Sequence, residues 1–207
     1  MVSTKSKIEK VKKQKVPDYL VYEIMDGKPI YYKGYQEVLK KKKTLDDIIG
    51  CSSLQSVLIE YILGICFANL DRSKYRFLTN EIGNHLDKGN NLSSDIAIYD
   101  KTVLTPDKIN LHYPDVPAKI LMEVDTKADL SEVGAAAYFH KKTQKLLNFG
   151  VEKVIWIFTA SQKITISERN ASAWKTVDWD QDIELLEGHF FNIAKYLEAE
   201  GIKIEEN

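Results

Sequence analysis

A continuous apolar run of five residues, Val154-Ile-Trp-Ile-Phe158, constrains the fold of this chain more than any other segment. A strand with one wet face alternates apolar and polar residues, whereas an unbroken apolar run is typical of a strand covered on both faces. Layers are therefore expected on both sides of the sheet. An amphipathic helix is predicted before the run, from Glu132 to Phe149 and closed by Gly150, and a second after it, at Phe190–Ala199.

The remaining patterns predict a mixed sheet that begins with a hairpin. Asp26-Gly27 lies between alternating apolar and aromatic residues, which indicates a β-hairpin over 19–32. A long helix is predicted from Ser52 to Leu70. A further strand is predicted over Tyr75–Leu78 and the next few residues, and others at Ser93–Tyr99, Lys119–Asp125 and Lys163–Glu168. This order predicts an α/β fold, with one mixed β-sheet flanked by helices.

Length and charge favour one soluble domain behind a basic tail. The 207 residues are 44% hydrophobic and 29% charged, which suits a single domain over 16–207. Residues 1–15 carry six lysines and one glutamate and are interpreted as a flexible solvated tail, with a phosphate-contacting arm as the alternative. The net charge of −1 is too low for nucleic-acid binding by bulk charge alone. Any such contact must come from local patches or a bound metal.

The sequence favours a cytoplasmic protein without a membrane anchor. Only two cysteines occur, Cys51 and Cys66, and both lie in or beside an apolar helix pattern, as reduced thiols usually do. The most apolar stretch, Val57–Leu70, carries Glu60 and is too short to span a bilayer. The chain has no glycine-rich phosphate loop, so no organic cofactor is expected.

Three carboxylates occupy positions where a buried strand would prefer apolar residues. Asp95 lies inside one predicted strand, and Glu123 and Asp125 lie inside another. The two-residue period of a strand puts Glu123 and Asp125 on one face with Leu121. Like charges on an apolar face lose hydration and repel one another unless a cation compensates them. The alternative is a wet sheet edge.

Two lysines could complete a site with these carboxylates. Lys127 continues the alternation of Glu123 and Asp125, if the strand extends that far. Lys142 lies between Phe139 and Leu146 on the stripe of its helix that is expected to face inward, although a lysine there could also extend outward to solvent. Oxygen ligands with a lysine suit Mg²⁺ or Mn²⁺ rather than zinc. Such a set predicts metal-assisted phosphodiester hydrolysis.

Four segments in this order resemble a known family. They are Tyr22–Gly27, Ser94–Ile98, Ile120–Val124 and Lys142–Trp156. The chain resembles the Uma-type restriction endonuclease family, within the PD-(D/E)XK nuclease superfamily, over roughly residues 19–197. The resemblance implies a restriction-endonuclease-like core and DNA cleavage that leaves a 5′-phosphate. It also implies that Asp95 is the motif aspartate, Glu123 the motif acid, and Lys142 the lysine on the following helix.

The motif departs from the superfamily pattern at two positions. Ser94 stands where proline is usual, and Asp125 stands where the lysine of Glu-x-Lys is usual. The catalytic lysine must therefore be Lys142 or Lys127. The metal is expected to be bound by Asp95 and Glu123, with the carbonyl of Val124 as a third ligand and Asp125 bound directly or through water.

Two further glutamates could support the metal ligands from outside the site. Glu23 lies in the predicted hairpin, where an exposed strand charge is the alternative. Glu81 lies in Asn80–His85, where a solvated turn is the alternative.

These features lead to one functional expectation and one alternative. We expect a Mg²⁺-dependent endonuclease that acts on DNA. The alternative is a catalytically inactive protein of the same fold that binds nucleic acid or a protein partner. A homodimer is expected, because the helix Ser52–Leu70 has more apolar surface than one sheet face can cover.

Overall fold

Residues 15–204 are described by a computed structural model, which has a mixed β-sheet with helices on both faces, as the sequence predicts. The predicted basic tail lies outside these residues except for Lys15. The helices are α1 (Tyr35–Leu39), α2 (Asp46–Ile49), α3 (Ser53–Asn69), α4 (Ala135–Phe149) and α5 (Ile193–Ala199). The strands are β1 (Val21–Met25), β2 (Lys28–Tyr31), β3 (Tyr75–Asp87), β4 (Asn90–Asp100), β5 (Ile120–Val124), β6 (Lys153–Phe158), β7 (Lys163–Glu168), β8 (Lys175–Asp178), β9 (Ile183–Leu186) and β10 (His189–Phe191).

The main sheet has eight strands, in the order β2-β1-β4-β5-β6-β7-β8, with β3 also paired to β4. Strands β9 and β10 form a separate two-stranded sheet. Strands β5 and β6 are parallel, whereas the other pairs in the main sheet are antiparallel. A parallel pair needs a crossover connection, and α4 provides it.

Strand β4 has two different neighbours along the same edge. It pairs with β1 at Asn91 and with β5 from Ile96 to Ile98, while β3 pairs with its opposite edge at both places. Residues 92–95 of β4 therefore have neither β1 nor β5 paired beside them. We call this gap between the two strands the β1/β5 notch.

The helices cover both faces of the sheet. Helices α3 and α5 pack on the face that includes Ile155 and Ile157 of β6. Helix α4 packs on the opposite face, which includes Val154 and Trp156. The apolar run in β6 is therefore covered on both sides, as its composition predicts. Within residues 15–204, no helix combines the length and apolar character needed to cross a membrane.

Several element boundaries differ from the sequence predictions. Helix α4 begins at Ala135 rather than Glu132, directly after Gly134 in a left-handed conformation (φ 80°), and it ends before Gly150 as predicted. Strand β3 is longer than the predicted stretch of Tyr75–Leu78 and the next few residues, because it continues to Asp87 through a bulge at Asn80 and Glu81, both with positive φ. The bulge accommodates these two residues with turn-like backbone conformations, so the chain remains in the sheet on both sides of them.

Helix α3 has one buried stripe rather than an apolar surface covered all round. Leu58, Ile62 and Cys66 are fully buried, whereas Phe67 is 50% exposed. Within the described chain, nothing covers the outer side of this helix completely. The homodimer remains a prediction.

The predicted hairpin forms and is fastened to α4 through its turn. Asp26 and Gly27 both have positive φ, as the tight turn between paired strands requires. The Asp26 carboxylate forms ion pairs with Lys141 and with Lys145, the latter at 2.5 Å. Hydrogen bonds from Lys141 and then Lys145 lower the pKa of Asp26 to about 2.

We predict that Asp26→Asn lowers the melting temperature by a few degrees at pH 7, because asparagine keeps the turn but loses both ion pairs. The effect is modest since the Asp26 side chain is 41% exposed, and such pairs contribute about 1 kcal/mol or less. A lowered carboxylate pKa stabilises the fold above the unfolded pKa, and this contribution is lost as the pH falls through about 2. Thermal unfolding followed by circular dichroism should show the two proteins converging between pH 4 and pH 2. A difference that did not change with pH would contradict this account.

Candidate functional site

Two of the predicted carboxylates meet at the β1/β5 notch. Ile96 of β4 lies opposite Met122 of β5, so the next step of that register brings Asp95 towards Glu123. Asp95 Oδ2 accepts a hydrogen bond of 2.7 Å from the Val124 backbone N–H. Both side chains are nearly inaccessible to solvent, at 8% exposure for Asp95 and 1% for Glu123.

Lys142 of α4 is buried between two glutamates. Its Nζ lies 2.6 Å from Glu123 Oε1 and 2.5 Å from Glu23 Oε1, and the side chain has no solvent exposure. Tyr138 and Leu146, one turn before and one turn after it, are also fully buried. The prediction that Lys142 faces inward is therefore confirmed, and it does not extend outward to solvent.

Glu23 belongs to this buried cluster rather than to an exposed strand face. Its Oε1 accepts hydrogen bonds from the backbone N–H of Ser93 at 2.9 Å and from the Ser93 hydroxyl at 3.0 Å. Its Oε2 accepts a hydrogen bond of 2.8 Å from the Tyr138 hydroxyl. Ser93 lies in the β1/β5 notch, where its N–H has no neighbouring strand to pair with. The Glu23 carboxylate accepts this hydrogen bond instead. The N-terminal hairpin thus contributes directly to the site.

The cluster contains more negative than positive charge. Burial raises the pKa of Glu123 well above its usual value, against the opposing effect of Lys142, and Asp95 and Glu23 raise it further. Burial also raises the pKa of Asp95, although the Val124 N–H opposes this. Burial alone would lower the pKa of Lys142, but Glu123 and Glu23 outweigh it and raise the pKa well above the usual value. Lys142 is therefore a stable cation, and one ammonium cannot neutralise three carboxylates.

Asp95 and Glu123 suit a hard divalent cation. Glu123 Oε1 is buried without a hydrogen-bond partner among the described residues and has only its ion-pair contact with Lys142. Mg²⁺ commonly uses one or two carboxylates and completes its shell with waters and substrate phosphate. No group of three histidine, cysteine or acidic side chains within residues 15–204 is arranged to hold a metal. The two carboxylates fit the ion, and the other ligands would have to be water or backbone oxygen.

Asp125 does not lie on the same strand face as Glu123. Strand β5 ends at Val124, and Asp125 has a φ of 60°, which breaks the alternation that the sequence predicts. Its Oδ1 accepts a hydrogen bond of 2.9 Å from the Thr159 N–H, and its Oδ2 accepts one of 2.5 Å from the Thr159 hydroxyl. Asp125 thus binds the chain that follows β6, and its role as a metal ligand stays a prediction.

Lys127 and Glu81 form an ion pair near Asp95. The Lys127 side chain is only 16% exposed, so it does not extend freely into solvent. Both charges act on the pKa of Asp95, which Lys127 lowers and Glu81 raises. Glu81 reaches this position through the bulge in β3 rather than from a solvated turn.

Three side chains that the sequence patterns did not single out also contact the acids. Gln55 Nε2 lies 3.4 Å from both carboxylate oxygens of Asp95 and is buried in the first turn of α3. Tyr138 and Ser93 both bind Glu23. Gln55 could have been noticed as a polar residue on the inward face of an apolar helix, and Tyr138 because it lies four residues before Lys142.

Comparison with known proteins supports the fold. No family model matches the chain, and no curated protein matches it. The crystal structure of a putative nuclease belonging to DUF820 from Anabaena variabilis ATCC 29413 matches with a TM-score of 0.61 at 11% sequence identity. The match covers 85% of this chain and 89% of the other. The chain therefore has a nuclease-like fold, while membership of the Uma-type family remains an expectation from its motifs.

We predict that Lys142→Met destabilises the protein by about 3–5 kcal/mol, because it leaves Glu23 and Glu123 buried without a counter-ion. The matched control is Lys119→Met, which breaks the 2.9 Å pair with the half-exposed Glu152 and should cost about 1 kcal/mol or less. Urea unfolding at pH 8 measures both. Equal costs for the two variants would show that the buried pairs do not hold the cluster together.

Proposed function

We propose that this protein is a metal-dependent nuclease that hydrolyses DNA phosphodiester bonds at the β1/β5 notch. The observation that supports this most is the charged Lys142 beside Glu123 and Asp95 in a nuclease-like fold. A purely structural role explains the cluster less well, because buried ion pairs contribute little net stability compared with apolar packing.

Each side chain has a distinct proposed role. Asp95 and Glu123 would hold Mg²⁺ or Mn²⁺, with the Val124 carbonyl as a further oxygen ligand. When bound, the cation supplies positive charge for the phosphodiester oxygens and Lewis acidity for the attacking water. Lys142 is an ammonium with a raised pKa, so it donates hydrogen bonds and stabilises negative charge instead of acting as a base in its resting state. Glu23 and Tyr138 hold Lys142 in position.

A second candidate function is a catalytically inactive protein of the same fold that binds nucleic acid or another protein. The departure from the motif at Asp125, whose carboxylate binds Thr159, favours it. Titration of the folded protein with Mn²⁺ separates the two candidates. A protein that binds neither Mn²⁺ nor Mg²⁺ would support the inactive form.

We predict that Asp95→Asn and Glu123→Gln each abolish Mn²⁺ binding and DNA cleavage, because each change keeps the side-chain shape but removes a ligand charge. The control is Glu152→Gln, which removes a half-exposed carboxylate outside the notch. Calorimetry with Mn²⁺ and cleavage of supercoiled plasmid measure the two effects. Unchanged metal affinity in both amide variants would refute the assignment of the site.

The two lysines should differ in their importance. Lys142→Met is expected to reduce cleavage by a factor of about 10²–10³, the range for loss of one group that stabilises developing negative charge, with metal binding nearly unchanged. Lys127→Met should have a far smaller effect, because Lys127 pairs with Glu81 and does not contact Glu123. Both are assayed below the temperature at which circular dichroism shows unfolding, with Lys142→Arg as a variant that keeps the charge. The reverse ranking would identify Lys127 as the catalytic lysine.

A further inference from the structure

A large cleft lies beside the acidic site and includes Glu23 but none of Asp95, Glu123 and Lys142 in its lining. It has a volume of about 1600 Å³ and lies between the hairpin, α1 and the segment around Tyr113. We call it the hairpin cleft. Its aromatic lining consists of the four tyrosines Tyr22, Tyr31, Tyr35 and Tyr113.

Two of these tyrosines stack on each other in the lining of the cleft. The rings of Tyr31 and Tyr35 stack with centroids 4.6 Å apart and planes 26° apart, and both side chains are partly exposed. Tyr31 ends β2, and Tyr35 begins α1 directly after Gly34, which has a φ of 90°. Stacked, partly exposed rings in a cleft suit a planar aromatic ligand such as a nucleobase.

The tyrosine pair is connected to the acidic site by backbone contacts. The Asp129 N–H donates a hydrogen bond of 2.7 Å to the Tyr31 carbonyl, and the Lys33 N–H donates one of 2.6 Å to the Lys127 carbonyl. Lys127 in turn acts on the pKa of Asp95. Glu23 lines the cleft and also binds Lys142. The cleft and the acidic cluster therefore share Glu23.

Lysines contribute to the lining of the cleft and to the chain beside it. Lys40 lines it, and the exposed lysines of the run 41–43 follow directly. Two acids of the lining form ion pairs that offset their negative charge. Asp26 pairs with Lys141 and Lys145, and Glu23 pairs with Lys142. Asp18 and Glu132 also line the cleft, and so do Lys15 and Lys28.

We propose that the hairpin cleft binds an unpaired segment of nucleic acid, with a base stacked on Tyr31 and Tyr35 and phosphates towards Lys40–Lys43. The proposal rests on the proposed nuclease function, which identifies the occupant as nucleic acid. An unpaired strand is favoured over a duplex because paired bases hide the faces that could stack on a tyrosine. A site for duplex backbone alone would be a broad basic surface rather than a cleft with an aromatic lining.

The test is fluorescence anisotropy with a labelled 12-nucleotide single strand and the matching 12-base-pair duplex, in EDTA at low salt. The single strand should bind at least about ten-fold more tightly than the duplex. Tyr35→Ala should weaken single-strand binding about ten-fold and leave duplex binding unchanged. Tyr35→Phe keeps the ring and should bind the single strand like the wild type. Tyr35→Leu keeps an apolar side chain without the ring, so it distinguishes loss of stacking from loss of packing.

Two further variants complete the test. Tyr19→Ala is the matched control, because Tyr19 is 60% exposed and does not line the cleft. Lys40→Gln with Lys41→Gln should weaken single-strand binding and reduce its dependence on salt. Equal affinity for both forms, no binding of the single strand at micromolar protein, or a Tyr35→Leu variant that binds like the wild type would overturn the proposal.

Single-strand binding and DNA cleavage are measured independently, so either can fail without the other. Binding in EDTA requires neither a metal nor cleavage, and Asp95→Asn should bind the single strand like the wild type. Tyr35-dependent binding without any cleavage would support the cleft and reject the nuclease function. If Tyr35→Leu cleaved single-stranded and duplex DNA like the wild type, this would support the nuclease function and reject the role of the cleft.

Discussion

The ion pairs of Lys142 determine how the rest of the structure fits together. One ammonium without solvent exposure contacts Glu23 of the hairpin and Glu123 of the central sheet. Burying such a charge without partners would cost several kcal/mol, so the helix can pack on the sheet only if both strands present their carboxylates. The hairpin therefore belongs to the core of the protein. The ion pairs of Asp26 with Lys141 and Lys145 fasten its turn to the same helix and reinforce this arrangement from the surface.

The charge of the cluster connects this architecture to its proposed chemistry. Lys142 neutralises at most one of the three carboxylates, and burial raises the pKa of both Glu123 and Asp95. Either a proton or a cation must offset the remaining charge. A site selected only for stability would replace these groups by apolar side chains of similar volume. Their presence is better explained by a ligand that carries positive charge, and this makes metal binding the most informative property to measure.

Local patterns in the sequence predicted the elements whose conformation depends on near neighbours. Asp26-Gly27 predicted the hairpin turn, the alternation in β5 predicted which face Glu123 occupies, and the helical stripe predicted that Lys142 is buried. The sequence did not predict features that depend on contacts between distant segments. Asp125 leaves the strand because Thr159 binds its carboxylate, and β3 continues past Asn80 because β4 offers a long partner. The helical pattern can mark Gln55 as a polar residue on an inward face, but its contact with Asp95 spans forty residues of sequence, so no local pattern identifies the partner.

The topology of the sheet explains why the acids lie where they do. Strand β4 is longer than the strands that pair with its inner edge, and β1 and β5 leave residues 92–95 between them without a partner. A buried N–H at such a gap must find another acceptor, because an unsatisfied group costs about 1–3 kcal/mol. Glu23 accepts from the Ser93 N–H on one side of the gap, and Asp95 accepts from the Val124 N–H on the other. Carboxylates are good acceptors for this purpose, so the interruption of the sheet itself favours acidic residues at the notch. The groups that complete the sheet are then the same groups that can bind a cation, and this places the candidate chemistry at the gap in β4 between β1 and β5.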